Sequence, residues 1–106
     1  MKLIMAIVSG DDSNAVSNAL TKAKYYVTKL ATTGGFLSSG NTTFLVGVND
    51  EQVDDVISII GKHSKKRKQM IQNNNTEVGM FSAFPIEVNV GGATVFVLNV
   101  EKFVKA

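Results

Sequence analysis

Residues 2–8 form one apolar run without alternation, which predicts a strand buried on both faces. Asp11, Asp12 and Ser13 follow, side chains suited to capping a helix. Val16, Ala19, Leu20 and Ala23 then recur at i, i+3, i+4 and i+7, so the spacing predicts an amphipathic helix over 12–24. The β-rich Tyr25–Thr28 opens a second strand running to about Thr32. Gly34, Gly35, Gly40 and Asn41 predict a turning loop over 33–41. Thr42 to Val48 predicts a third strand with Phe44, Val46 and Val48 on one face. Asn49 with Gln52 three residues later has the pattern of a capping box. Behind it, Val53, Val56, Ile57 and Ile60 define a second helix, ended by Gly61 or the lysines beyond it.

No clean period runs from about Lys62 to Phe84, so a long mobile loop is expected over 62–84. Ile86, Val88 and Val90 alternate with Glu87 and Asn89 as a fourth strand. Gly91-Gly92 reads as a hairpin turn, and Ala93 to Val100 as a returning fifth strand. The order β-α-β-β-α-β with an added C-terminal hairpin strand predicts a ferredoxin-like α+β domain spanning 1–106. Both helices of that fold pack on one sheet face. Residues 3–8, 44–48 and 95–98 are apolar on both faces, so the second face needs a cover. A closed symmetric oligomer is the simplest one.

Composition narrows the chemistry. The chain has 106 residues, 44% apolar and 19% charged, the make-up of an ordinary globular domain. It has no Cys, which removes disulfides, thiolate metal sites and thiol nucleophiles together. The opening apolar run is short and stops at Gly10-Asp11-Asp12 without a cleavage pattern. No stretch approaches the roughly 20 apolar residues of a membrane span. A cytoplasmic location is the expectation, with no membrane partner. The net charge of +2 is far from the basic excess of a protein that binds long nucleic acid. Five of the eleven basic residues lie between Lys62 and Lys68, either a solvated helix end or an attractant for an anion. His63 stands alone, and Asp54 and Asp55 face different directions on their helix, so no catalytic set and no metal site is indicated. Phosphate-binding patterns of the G-x-x-x-x-G-K-[ST] and G-x-G-x-x-G types are absent.

The loop from Thr33 to Asn41 carries the strongest chemical signal. Its glycines permit close backbone approach to an anion. Thr28, Thr32, Thr33, Ser38, Ser39 and Asn41 supply neutral donors and acceptors, and Phe36-Leu37 places two large apolar side chains at a loop tip. Two readings stand: a turn whose Phe36-Leu37 plugs a subunit contact, or a pocket in which they stack on a base. An RNA-binding reading of the same fold asks for aromatics and flanking cations on the central strands. Thr42–Val48 offers only Phe44 and no cation.

The blocks TKLATTGGFL from Thr28, GNTTFL from Gly40, GVND from Gly47 and VGGATVFVL from Val90 resemble the PII-like cyclic di-AMP receptors of Gram-positive bacteria. The likeness extends in order over nearly the whole chain. It implies a non-enzymatic signalling protein, a homotrimer of ferredoxin-like subunits, with one cyclic di-AMP at each subunit interface and no other cofactor. It implies relay to a downstream protein through loop ordering. By position it implies a pocket of Thr28, Gly35, Phe36, Leu37, Asn41, Gly47 and Phe96. Thr28 and Asn41 would read an adenine edge, Phe36 and Leu37 would sandwich the base, and Phe96 would pack against the second base. Tyr26 stands where these receptors usually carry an arginine that contacts the ligand. A phenol can stack or donate one hydrogen bond but lacks the charged planar fork. Lys24, two residues earlier, brings a charge nearby. The alternative within the same fold is an oligomeric domain for an ATP-like nucleotide or RNA.

Overall fold

The structure, a computed structural model, describes residues 1–30, 40–72 and 85–106, and of 69–72 and 85–90 the backbone alone. Its strands are β1 (Lys2–Ser9), β2 (Val27–Lys29), β3 (Asn41–Val48), β4 (Arg67–Gln72), β5 (Pro85–Val90) and β6 (Ala93–Asn99). Its helices are α1 (Ser13–Lys22) and α2 (Val53–Lys62), each entered through one short 3-10 turn. Four strands form an antiparallel sheet in the order β2-β3-β1-β6, and β4 pairs with β5 as a separate two-stranded arm. With β3 between β1 and β2, this is the split βαβ arrangement of the ferredoxin-like α+β class.

The apolar period explains the body. Ile4, Ala6 and Val8 of β1 and Phe44, Val46 and Val48 of β3 project to one side. There they meet Val16 and Leu20 of α1 and Val56 and Ile60 of α2 in one buried cluster. Helix α2 begins as the capping pattern predicts, with the Asn49 N–H donating to Gln52 Oε1 at 2.9 Å. Helix α1 ends with Lys24 in the left-handed region, φ 73°. That turn lets the Tyr25 N–H reach back to the Leu20 carbonyl at 3.0 Å and redirects the chain into β2. The Tyr25 hydroxyl then donates to Asp55 at 2.6 Å, tying the exit of α1 to the first turn of α2.

Two expectations change. Gly91-Gly92 does not close a hairpin between the last two strands. β5 pairs with β4, whereas β6 runs beside β1 from Lys2↔Asn99 to Val8↔Ala93. Both glycines have positive φ, 85° and 86°, and they redirect the chain from the arm back into the sheet. Arg67–Gln72, in a stretch without a sequence period, is strand β4 because β5 supplies its ladder. Its residues show no apolar alternation, so its strand character comes from the pairing with β5 and not from a period.

Candidate functional site

The register places Thr28 opposite Leu45, Leu45 opposite Met5, and Met5 opposite Phe96. These four side chains form one row across the sheet face away from the helices. Leu3 and Leu98 flank it, next to Gly47 in the neighbouring row. Phe96 is 51% exposed and Leu98 43%. The apolar second face expected from the sequence is therefore present and uncovered in the single chain.

Among the described residues, the site residues taken from the resemblance do not converge in one chain. Thr28 and Phe96 lie on opposite edge strands, about 14 Å apart across three strand spacings. Asn41 and Gly47 lie near opposite ends of β3, about 20 Å apart along the strand. Tyr26 precedes β2 and is 91% exposed. Thr28, Tyr26 and Gly47 thus group at one end of the β2–β3 pair, Asn41 lies at the other, and Phe96 is on the far edge. Gly47 leaves open space on its strand, since an added Cβ would meet only the Met1 side chain, at 3.4 Å. Gly35, Phe36 and Leu37 lie outside the described residues.

Asn41 lines a groove of about 850 Å³ at its end of the sheet, where loop ends, α2 and the base of the arm meet. This volume is within the range of roughly 300–1,000 Å³ usual for small-molecule sites. Its apolar lining includes Ile57 and Val95, over the buried Ile60. Its polar lining comes from Ser9, Asn41, Thr94, Lys65 and Lys66, beside Gly91 and Gly92. Gly10 is bound to this rim through its N–H, which donates to the Gly40 carbonyl at 2.8 Å, fixing the exit of the 33–41 loop against the end of β1.

The arm base is fixed just behind the groove. Arg67 donates from both terminal nitrogens to Asp12, at 2.8 and 3.3 Å, and from one of them to the Lys65 carbonyl at 3.1 Å. Hydrogen bonding to Asp12, and then its charge, push the Arg67 pKa up from its ordinary value. Asp12, expected as a helix cap, holds Arg67 instead. The cap on the first turn is Ser9, whose Oγ accepts the Asp11 N–H at 3.3 Å. Nothing in a local pattern separates Arg67 from the lysines beside it, because its partner is 55 residues away. The Gly92 N–H donates to the Ser64 carbonyl at the same junction. A Cβ on Gly91 would come within 2.2 Å of the Lys65 carbonyl oxygen, so this position requires glycine on contact as well as on φ.

Phe44, the aromatic on which an RNA-binding reading of β3 depends, is fully buried under the helices and offers no base a stacking surface. Among the described residues no three His, Cys, Asp or Glu side chains come together to hold a metal, and no helix is long and apolar enough to cross a membrane.

The chain is thus a ferredoxin-like domain with an open apolar sheet face and a mixed polar groove at the sheet end. The match to known proteins gives the particular family. A family model for the cyclic-di-AMP receptor matches residues 1–106, and the chain belongs to that family. It is also similar to a solved structure described as a functionally unknown protein from Pediococcus pentosaceus ATCC 25745. That protein is 43% identical, with a TM-score of 0.75 over 99% of this chain and 96% of the other.

Proposed function

We propose that this protein is a PII-like signal transducer that binds cyclic di-AMP between subunits of a homotrimer and passes the signal to a partner protein by ordering its loops. The observation that carries the reading is the separation of Thr28 and Phe96 on opposite edge strands of one exposed apolar face. Residues about 14 Å apart in one chain meet when the β2 edge of one copy packs beside the β6 edge of the next. Closing the copies into a ring with this face turned inward covers Leu45, Met5 and Leu98, whose exposure is costly in water. Thr28 and Gly47 of one subunit then face Phe96 of its neighbour, with Asn41, Gly35, Phe36 and Leu37 completing the contacts to the bases. Tyr26 enters this pocket as a neutral stacking group. The relay follows from the position of the 33–41 loop, whose exit at Gly40 is bonded to Gly10, two residues before the Asp12 that holds the arm.

Calorimetric titration of the purified protein with cyclic di-AMP, together with its mass in solution, tests the proposal. Saturable heat at one ligand per chain and a particle three times 11.4 kDa are expected. Absence of heat at high micromolar ligand sinks it. Phe96→Ala is expected to weaken binding and trimer formation together, because one side chain serves both. Tyr26→Arg is expected to tighten binding by adding a charge-assisted fork.

A further inference from the structure

We propose that Lys65 and Lys66 form an anion subsite in the sheet-end groove, holding phosphate groups of a nucleotide that Asn41 contacts from the same groove. Its ligand identity, though not the subsite itself, rests on the reading of the chain as a cyclic di-AMP receptor.

The charge balance of the groove is one-sided. Lys65 and Lys66 are among its lining residues, and no carboxylate is. Asp12, the acid nearest in the fold to the arm base, is engaged on both oxygens by Arg67, so it does not neutralise the lysines. Among the described residues neither Lys65 nor Lys66 makes an ion pair. Adjacent like charges repel, and a bound dianion or a pair of phosphates relieves that repulsion.

The lysines are also placed by the fold. The Lys65 carbonyl accepts from Arg67 and closely abuts Gly91, so the backbone at this point is held from two sides. The Lys66 stem lies over Gly92, its Cγ 3.4 Å from where a Cβ would be. Glycine therefore provides the space in which that stem rests. Asn41 shares the groove, so a base-reading amide and two phosphate-holding cations line one cleft. In sequence the lysines belong to a basic run that reads equally as a solvated helix end. Their separation from Arg67, which is consumed in the anchor, is visible only in three dimensions.

The test is titration of the full chain with cyclic di-AMP at low and moderate salt, for the wild type, the Lys65→Ala/Lys66→Ala variant and the Lys65→Arg/Lys66→Arg variant. The alanine pair is expected to bind at least tenfold more weakly at low salt, with a flatter salt dependence, because screened attraction is what it lacks. The arginine pair is expected to restore both. Unchanged affinity and salt dependence in the alanine pair overturn the subsite while the receptor reading stands. So does a loss that the arginine pair does not restore. If the wild type binds no cyclic di-AMP, the receptor reading fails, and the subsite is tested with inorganic pyrophosphate on isotope-labelled protein. Amide shifts at Asn41, Gly91 and Gly92 that vanish in the alanine pair support the subsite, and their absence in the wild type overturns it.

Discussion

Ten buried apolar side chains, contributed by β1, β3, α1 and α2, hold the body of the molecule together. The β4–β5 arm is attached differently. Its two strands mainly contact each other, and its base is tied down by the Arg67–Asp12 pair and by the backbone bond from Gly92 to Ser64. A two-stranded ribbon is marginal by itself in water, so its anchoring decides its stability. Apolar burial is non-directional and sums over many contacts. A polar anchor concentrates its effect in a few groups of fixed geometry. The body is therefore suited to carrying a rigid ligand face, and the arm to changing state at small cost.

This contrast can be broken at several points. The largest expected effect is Phe44→Ala, which empties the centre of the core. A loss of roughly 3–5 kcal/mol is expected in chemical denaturation. If the loss is below about 1 kcal/mol, the body is not held as described. Gly91→Ala comes next. Its positive φ alone costs a non-glycine residue roughly 1–3 kcal/mol, and the clash with the Lys65 carbonyl adds to that. Hydrogen exchange is expected to accelerate in β4 and β5 before it does in β1 or β3. Uniform acceleration across both would show that arm and body are one cooperative unit.

Asp12→Asn is expected to have the same local signature with smaller size, since a neutral amide keeps one acceptor but loses the charge that Arg67 faces. Faster exchange in the arm with a nearly unchanged global midpoint is the expected result. Equal loosening of α1 would place Asp12 in the body instead. The smallest effect belongs to Tyr25→Phe, on the surface link between α1 and α2. Hydrogen bonding to Asp55, then burial and the charge of Asp55, raise the Tyr25 pKa above its ordinary 10.0. A folded-state value above the unfolded one means that the contribution is complete below about pH 10 and fades as pH rises through the raised value. The wild-type advantage over Tyr25→Phe, under about 1 kcal/mol, is expected at neutral pH and to shrink in alkali. An advantage that grows in alkali would contradict the bond.

The body was the legible part. Both helices carried a 3.6-residue apolar period, and Asn49–Gln52 announced the start of α2. Of the arm, β5 was legible through the alternation of Ile86, Val88 and Val90, whereas β4 was not, because Arg67–Gln72 carries no apolar alternation. Gly91-Gly92 has the signature of a hairpin turn, yet hairpin closure needs a free partner. β1 takes β6 and β4 takes β5, so the glycines turn the chain between two sheets instead. For the site, the blocks around Thr28, Asn41, Gly47 and Phe96 were readable as a family pattern. Their scatter over one sheet face was not.

The sequence by itself determined the element order, the two-faced apolar sheet and the family, because periodicity and motif are local properties carried by neighbours in the chain. Tertiary structure alone decided three things. It set which strand β6 joins, assigned Arg67 to Asp12 rather than to the basic run, and brought Lys65 and Lys66 into the groove of Asn41. Each depends on residues tens of positions apart, and long-range pairing is chosen by the competition among all partners in the folded chain rather than by any segment alone.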